Sequence, residues 1–147
     1  IMYYAGLFGK DEFGVSACLK NILGPVVSSM PVLAAMLLGL VVASIFTNFC
    51  SNTVSAVVIC TSFVPAMMSV SGIGQAQVLA FACCVVAVCG TAICTISACS
   101  TMGIVYSDIG VPYAGTAKYS VALCVIMVIV SCVLLVPLGG TLLAGVV

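Results

Sequence analysis

Apolar runs of membrane length alternate along this chain with short polar interruptions. Residues 32–46 and 54–68 are apolar limbs, and between them lies Thr47-Asn48-Phe49-Cys50-Ser51-Asn52-Thr53. This connection holds no charge, no Gly and no Pro, although a loop that reaches water normally shows some of these. As one straight helix the limbs and their link would run about 55 Å, whereas the hydrocarbon core of a bilayer is about 30 Å thick. The pattern therefore predicts a turn or break near Ser51. Two plain spans joined at the surface are one solution. The short, uncharged link favours the other, a re-entrant helical hairpin whose polar tip lies inside the membrane.

The next long apolar run, residues 78–96, dissolves into Cys94-Thr95-Ile96-Ser97-Ala98-Cys99-Ser100-Thr101-Met102-Gly103 and resumes as Ile104-Val105-Tyr106. That predicts a broken helix. Residues 121–136 form the last clear span, with Pro137 and Gly139-Gly140 near its end. Upstream, residues 1–8 read as the end of a span and Gly9-Lys10-Asp11-Glu12 as a surface turn. Residues 13–27 read as an interfacial or short packed helix, and Pro31 suits a helix's first turn. Residues 69–75 are a loop by composition. The expected organisation is one membrane domain over 1–147. Within it, 1–30 hold the end of a span and a surface or short helix, 31–70 the hairpin, 76–108 the broken helix and 118–147 the last span. The chain opens inside an apolar run and has no internal repeat, so it is expected to be half of a longer protein.

Composition fixes the solvent. The chain is 65% hydrophobic and 4% charged, where soluble domains carry roughly a quarter charged residues. The buried core of a soluble complex is the lesser reading, and apolar runs that recur along the whole chain set aside a signal peptide. A net charge of zero gives no electrostatic case for nucleic acid or for an acidic membrane surface. Three lysines are too few to set an orientation. There are ten cysteines and no histidine. Cys84, Cys89, Cys94 and Cys99 recur every fifth position, each step turning about 140° around a helix. They do not share a face, and no set of converging ligands for zinc or an iron–sulfur cluster emerges. Cysteine here reads as a small apolar packing residue, with one bridge left open.

Discontinuous helices bind ions inside membranes because a helix start offers free N–H groups and a helix end offers free carbonyls. Ser, Thr and Asn add neutral donors and acceptors without the cost of a permanent charge in lipid. Ser51-Asn52-Thr53 and residues 95–103 both have this chemistry. Singly, each has a plainer reading: Ser51 or Asn52 as a helix cap, and hydroxyls that bond back to their own helix. Two interrupted elements in one short domain point to a transport site.

Phe46-Thr47-Asn48-Phe49-Cys50-Ser51-Asn52-Thr53-Val54-Ser55-Ala56, followed by Val64-Pro65, resembles the second hairpin of the divalent anion:sodium symporters. These are the dicarboxylate, citrate and sulfate carriers of the ion-transporter superfamily. The resemblance covers essentially the whole chain as the C-terminal half of such a carrier, and its specific part is Ser51–Thr53. It implies an all-α, polytopic membrane protein with a re-entrant hairpin and a broken transmembrane helix, one inverted-repeat half of an elevator-type transporter. It further implies substrate contacts from Ser51, Asn52, Thr53, Ser100 and Thr101. Sodium ligands are implied from Ser51, Asn52, Thr53, Ser97, Cys99 and Gly103, with Thr95 a lesser candidate. The family's second broken helix usually carries a Thr-Pro-Pro-Asn-like loop. This chain reads Cys99-Ser100-Thr101-Met102 there, so the prolines and the asparagine are missing. Sodium is the implied coupling ion, and no other metal or cofactor is expected. The implied partners are a small anionic solute, the lipid bilayer, an N-terminal half and a second copy in a homodimer. The implied setting is multi-pass in the cell (inner or cytoplasmic) membrane.

The function expected is secondary active transport, a sodium-coupled uptake of a di- or tricarboxylate or sulfate. The chain is not expected to be an enzyme, because an intramembrane Cys or Ser nucleophile would lack a base: there is no His, and Asp108 and Lys118 lie near surfaces. A non-transporting structural or assembly subunit, or a carrier for another oxyanion such as arsenite, is the alternative.

Overall fold

The computed structural model describes residues 29–68, 73–95, 100–110 and 112–145, together with Cys18, Asn21, Ile22 and Pro25. The expectations for residues 1–17 and for the loop at 69–72 lie outside the described residues. Among the described residues the regular structure is all helix, with no strands. In chain order they form α1 (Val32–Thr47), α2 (Asn52–Met68), α3 (Gln75–Cys89), α4 (Ser100–Ser107) and α5 (Tyr113–Val130). A π-helical turn, Ser131–Leu135, then leads into α6 (Val136–Leu143).

The stretch Tyr113–Leu143 is continuous over 31 residues and is long and apolar enough to cross a membrane. It starts earlier than the apolar run at 121–136, because Pro112 sits at the N-cap with extended backbone and costs the helix no N–H it needs. It also passes Pro137. A proline inside a helix has no N–H for the carbonyl one turn back and crowds that turn. The wider turn at Ser131–Leu135 lies just ahead of Pro137 and absorbs the misfit. Helices α1, α2 and α3 are apolar but shorter, with 16, 17 and 15 residues.

These helices are apolar nearly all round, so polarity alone does not choose the inward face. Small residues do. Met36, Leu40 and Ala43 of α1 pack with Ile59 and Phe63 of α2 and with Phe81 and Val85 of α3, all essentially buried. Gly39 makes this approach possible, because a Cβ there would lie 2.7 Å from Phe81 Cζ and 3.1 Å from Phe63 Cδ1. The two rings stand at a tilted 6.4 Å centroid separation. Farther along α3, Ala80 sits against Gly139 of α6, where an added Cβ would come within 2.9 Å of the Ala80 Cβ. Helix α3 is thus the centre of the bundle, with α1, α2 and α6 around it. The outward faces stay apolar as well: Leu33, Val86, Ile126, Ile129 and Leu142 are all exposed.

Candidate functional site

Three helix ends meet at one hydroxyl. Thr47 closes α1, Asn52 opens α2 and Cys89 closes α3. The Thr47 hydroxyl lies 2.9 Å from the Cys89 carbonyl oxygen and 3.1 Å from Asn52 Oδ1. A hydroxyl has one hydrogen. As placed, both partners are acceptors that share this hydrogen; with it given to the nearer Cys89 carbonyl, turning the Asn52 amide over so that its NH2 faces Thr47 satisfies all three groups.

This contact explains why α3 stops seven positions short of the end of its apolar run. The Cys89 carbonyl is taken by Thr47, and the Val88 carbonyl accepts from the Thr91 hydroxyl at 2.7 Å. The Val88 carbonyl also accepts the Thr91 backbone N–H at 3.0 Å, so side-chain hydroxyls and a tightened last turn replace the bonds that would have continued the helix. The end of α1 is built the same way. Asn48 Nδ2 donates to the Ser44 carbonyl at 2.7 Å, the acceptor that the next backbone N–H would otherwise use.

Asn48 is nearly buried and ties the two interruptions together. Its Oδ1 accepts the Cys94 backbone N–H at 2.8 Å, and its own carbonyl accepts from the Thr95 hydroxyl. The amide orientation follows from chemistry. Cys94 N–H is only a donor and the Ser44 carbonyl only an acceptor, so oxygen must face the first and nitrogen the second. Tyr113, at the start of α5, donates its hydroxyl to the Cys94 carbonyl at 2.8 Å. The break after α3 is therefore clamped between the end of α1 and the start of α5.

Beside this junction an open groove of about 480 Å³ runs between α1 and α5. Leu37, Val41, Val125 and Ile129 supply apolar walls, and Ser44, Asn48 and Thr95 bring polar groups near the C-terminal end of α1. Among the described residues no charged side chain lines it. One turn into α2, the Ser55 hydroxyl is fully buried without a hydrogen-bond partner, as are those of Ser62 and Ser131.

The sequence-derived site residues fall into separate groups. Asn52 is half-buried and joined to Thr47. Ser51 is exposed and its carbonyl accepts the Ser55 N–H at 2.9 Å, the first backbone bond of α2, which makes it the N-cap by position. Thr53 is exposed. Ser100 begins α4, Thr101 is exposed, and Gly103 is half-buried with its carbonyl accepting from the Ser107 hydroxyl at 2.5 Å. Helix α4 attaches to α5 through Tyr106, whose hydroxyl lies 3.0 Å from Thr116 Oγ1 and whose ring meets Tyr113 edge-on at 5.4 Å. Ser97 and Cys99 lie outside the described residues. Among the described residues no group of three or more His, Cys, Asp or Glu converges as a metal site. Thr47 and Asn48 were not among the predicted site residues. Their signal was in the sequence: they open the polar run, at the end of an apolar helix that has no glycine to stop it.

A scan against protein-family models gives no match, and neither the curated proteins nor the solved structures searched give one.

Proposed function

We propose that this chain is part of a secondary active transporter and that the junction of its two interrupted elements helps bind a small anion, a di- or tricarboxylate or sulfate, moved with sodium. The carrying observation is that Thr47 and Asn48 join the end of α1, the start of α2 and the end of α3 at one uncharged polar point. Two helix ends offer carbonyl character suited to a sodium ion, and one helix start offers N–H character suited to an anion. The unpartnered Ser55 hydroxyl one turn away supports a ligand or ion in this neighbourhood, because an orphaned buried hydroxyl costs about 1–3 kcal/mol.

In this reading α1 and α2 are the limbs of a re-entrant hairpin. With 16 and 17 residues they measure about 24–26 Å, each less than a hydrocarbon core of about 30 Å. Helices α3 and α4 are the halves of a broken transmembrane helix, and Tyr113–Leu143 is a full span. The groove admits solute to the polar junction from the side of α5, and sodium offsets the anion's charge where, among the described residues, no protein cation lines the groove.

The test is uptake of labelled succinate, citrate or sulfate into proteoliposomes holding the full-length protein. A sodium gradient should stimulate entry, and Asn52→Ala and Asn48→Ala should each reduce it at least tenfold. Uptake unchanged in both variants would remove the junction from the transport path.

A further inference from the structure

We infer that Cys94 and Cys124 form a reversible disulfide that ties the break after α3 to α5. Their sulfurs lie 3.3 Å apart, and both residues line the groove beside the junction. The pair joins two different elements: Cys94 lies in the break and Cys124 in the middle of α5. The described cysteines are free thiols. A disulfide requires a sulfur separation of about 2.0 Å, and the remaining gap closes by side-chain rotation together with a small shift of the break.

The hydrogen bonds separate the roles of the two thiols. Cys124 Sγ donates to the Thr91 carbonyl at 3.4 Å, so the hydrogen shared between the sulfurs comes from Cys94. Cys94 is half-buried and Cys124 nearly fully buried, which makes Cys94 the thiol an oxidant meets first. With a peroxide as oxidant, the Cys94 sulfur attacks one peroxide oxygen and becomes a sulfenic acid, while the other oxygen leaves as water or an alcohol. The Cys124 sulfur then attacks the Cys94 sulfur, loses its proton and expels water. Two thiols and one peroxide yield one disulfide, one water and one water or alcohol. A small dithiol reverses the bond by thiol–disulfide exchange.

The functional consequence rests on the transport reading. Cys94 also supplies the N–H that Asn48 accepts and the carbonyl that Tyr113 bonds. Crosslinking its side chain to α5 fixes the break in the arrangement described here and stops the junction from rearranging around a solute.

The experiment treats the full-length protein in vesicles with hydrogen peroxide, blocks free thiols by alkylation, and maps peptides by mass spectrometry without reduction. A peptide linking Cys94 to Cys124 is expected, lost on dithiothreitol treatment and absent from Cys124→Ser. Recovery of both cysteines alkylated, or of Cys94 as sulfinic acid with Cys124 alkylated, overturns the proposal. In parallel, uptake after peroxide is divided by uptake before it within each variant. The ratio should fall at least fivefold in the parent and return with dithiothreitol, and stay near one in Cys124→Ser. A mapped bond in a protein that moves no solute upholds the disulfide and sinks the transport reading. Robust uptake with no bond does the reverse.

Discussion

Thr47 and Cys89 lie 42 positions apart in the chain, yet the Thr47 hydroxyl donates to the Cys89 carbonyl at 2.9 Å. That one bond terminates α3 and sets the tip of the α1–α2 pair against it. Thr47→Val keeps the shape and removes the hydroxyl, leaving the Cys89 carbonyl and the Asn52 amide without their shared partner. The variant should lose about 1–2 kcal/mol of stability, read as a lower melting temperature in detergent. Thr47→Ser should restore most of it. Equal melting of parent and Thr47→Val would show that water or lipid replaces the contact at no cost.

Asn48 uses a donor and an acceptor of its side chain on two different backbones, Ser44 and Cys94. Neither carboxylate nor leucine can do both. A protonated carboxylic acid can, since it has one O–H donor and acceptor capacity besides. Asn48→Asp should therefore work at low pH and fail as pH rises and the acid ionises, because the charged form cannot donate to the Ser44 carbonyl and carries a charge into an apolar site. Uptake or melting temperature measured from pH 4 to pH 8 should fall with pH in Asn48→Asp more steeply than in the parent. Parallel curves would sink the assigned amide orientation.

The positions of both interruptions were legible in the sequence, because uncharged polar residues inside runs too long for one span leave few solutions. Where each helix ends was not. Helix α3 stops at Cys89 with Gly90 at its C-cap, a local stop signal inside the apolar run, but the hydroxyl that takes the Cys89 carbonyl comes from another element. The same dependence hid the role of Thr47 and Asn48, which read as the approach to Ser51–Thr53 until their partners at Cys89 and Cys94 are in place. The passage of the last helix through Pro137 depends on the π turn before it, and π turns leave no clear mark in composition. Burial was also hard to read. Helices apolar on every side have no 3.6-residue polarity rhythm, so the inward face is chosen by close approaches such as Gly39 to Phe81.

That approach yields a packing prediction with a built-in control. Gly39→Ala places a methyl 2.7 Å from Phe81 Cζ, and both Phe81 and Phe63 are fully buried rings with little room to give. Overpacking of this kind costs about 1–3 kcal/mol. Phe81→Leu in the same protein should recover part of the loss, giving a favourable coupling in the double mutant. At Gly139 the added methyl would meet the Ala80 Cβ at 2.9 Å, an atom fixed to its backbone, so there only Ala80→Gly should compensate. Strict additivity at both sites would mean the helices simply move apart.

The re-entrant proposal fixes the depth of the tip between α1 and α2, and Ser51 is placed to test it. Ser51 is exposed in the structure, and Ile126, exposed near the middle of the Tyr113–Leu143 span, serves as the apolar control. If the tip lies in a water-filled site inside the membrane, Ser51→Cys should react with small hydrophilic thiol reagents, and Ile126→Cys should not. The measurement needs a background in which the native cysteines are replaced, above all the neighbouring Cys50. Sodium and substrate should slow the Ser51→Cys reaction, because a bound solute displaces the water through which the reagent arrives. Large impermeant reagents should fail where small ones succeed, since a tip inside the membrane is reached only through a narrow water-filled path. A tip at the headgroups, joining two ordinary spans, would react with large and small reagents alike and gain no protection from sodium or anion.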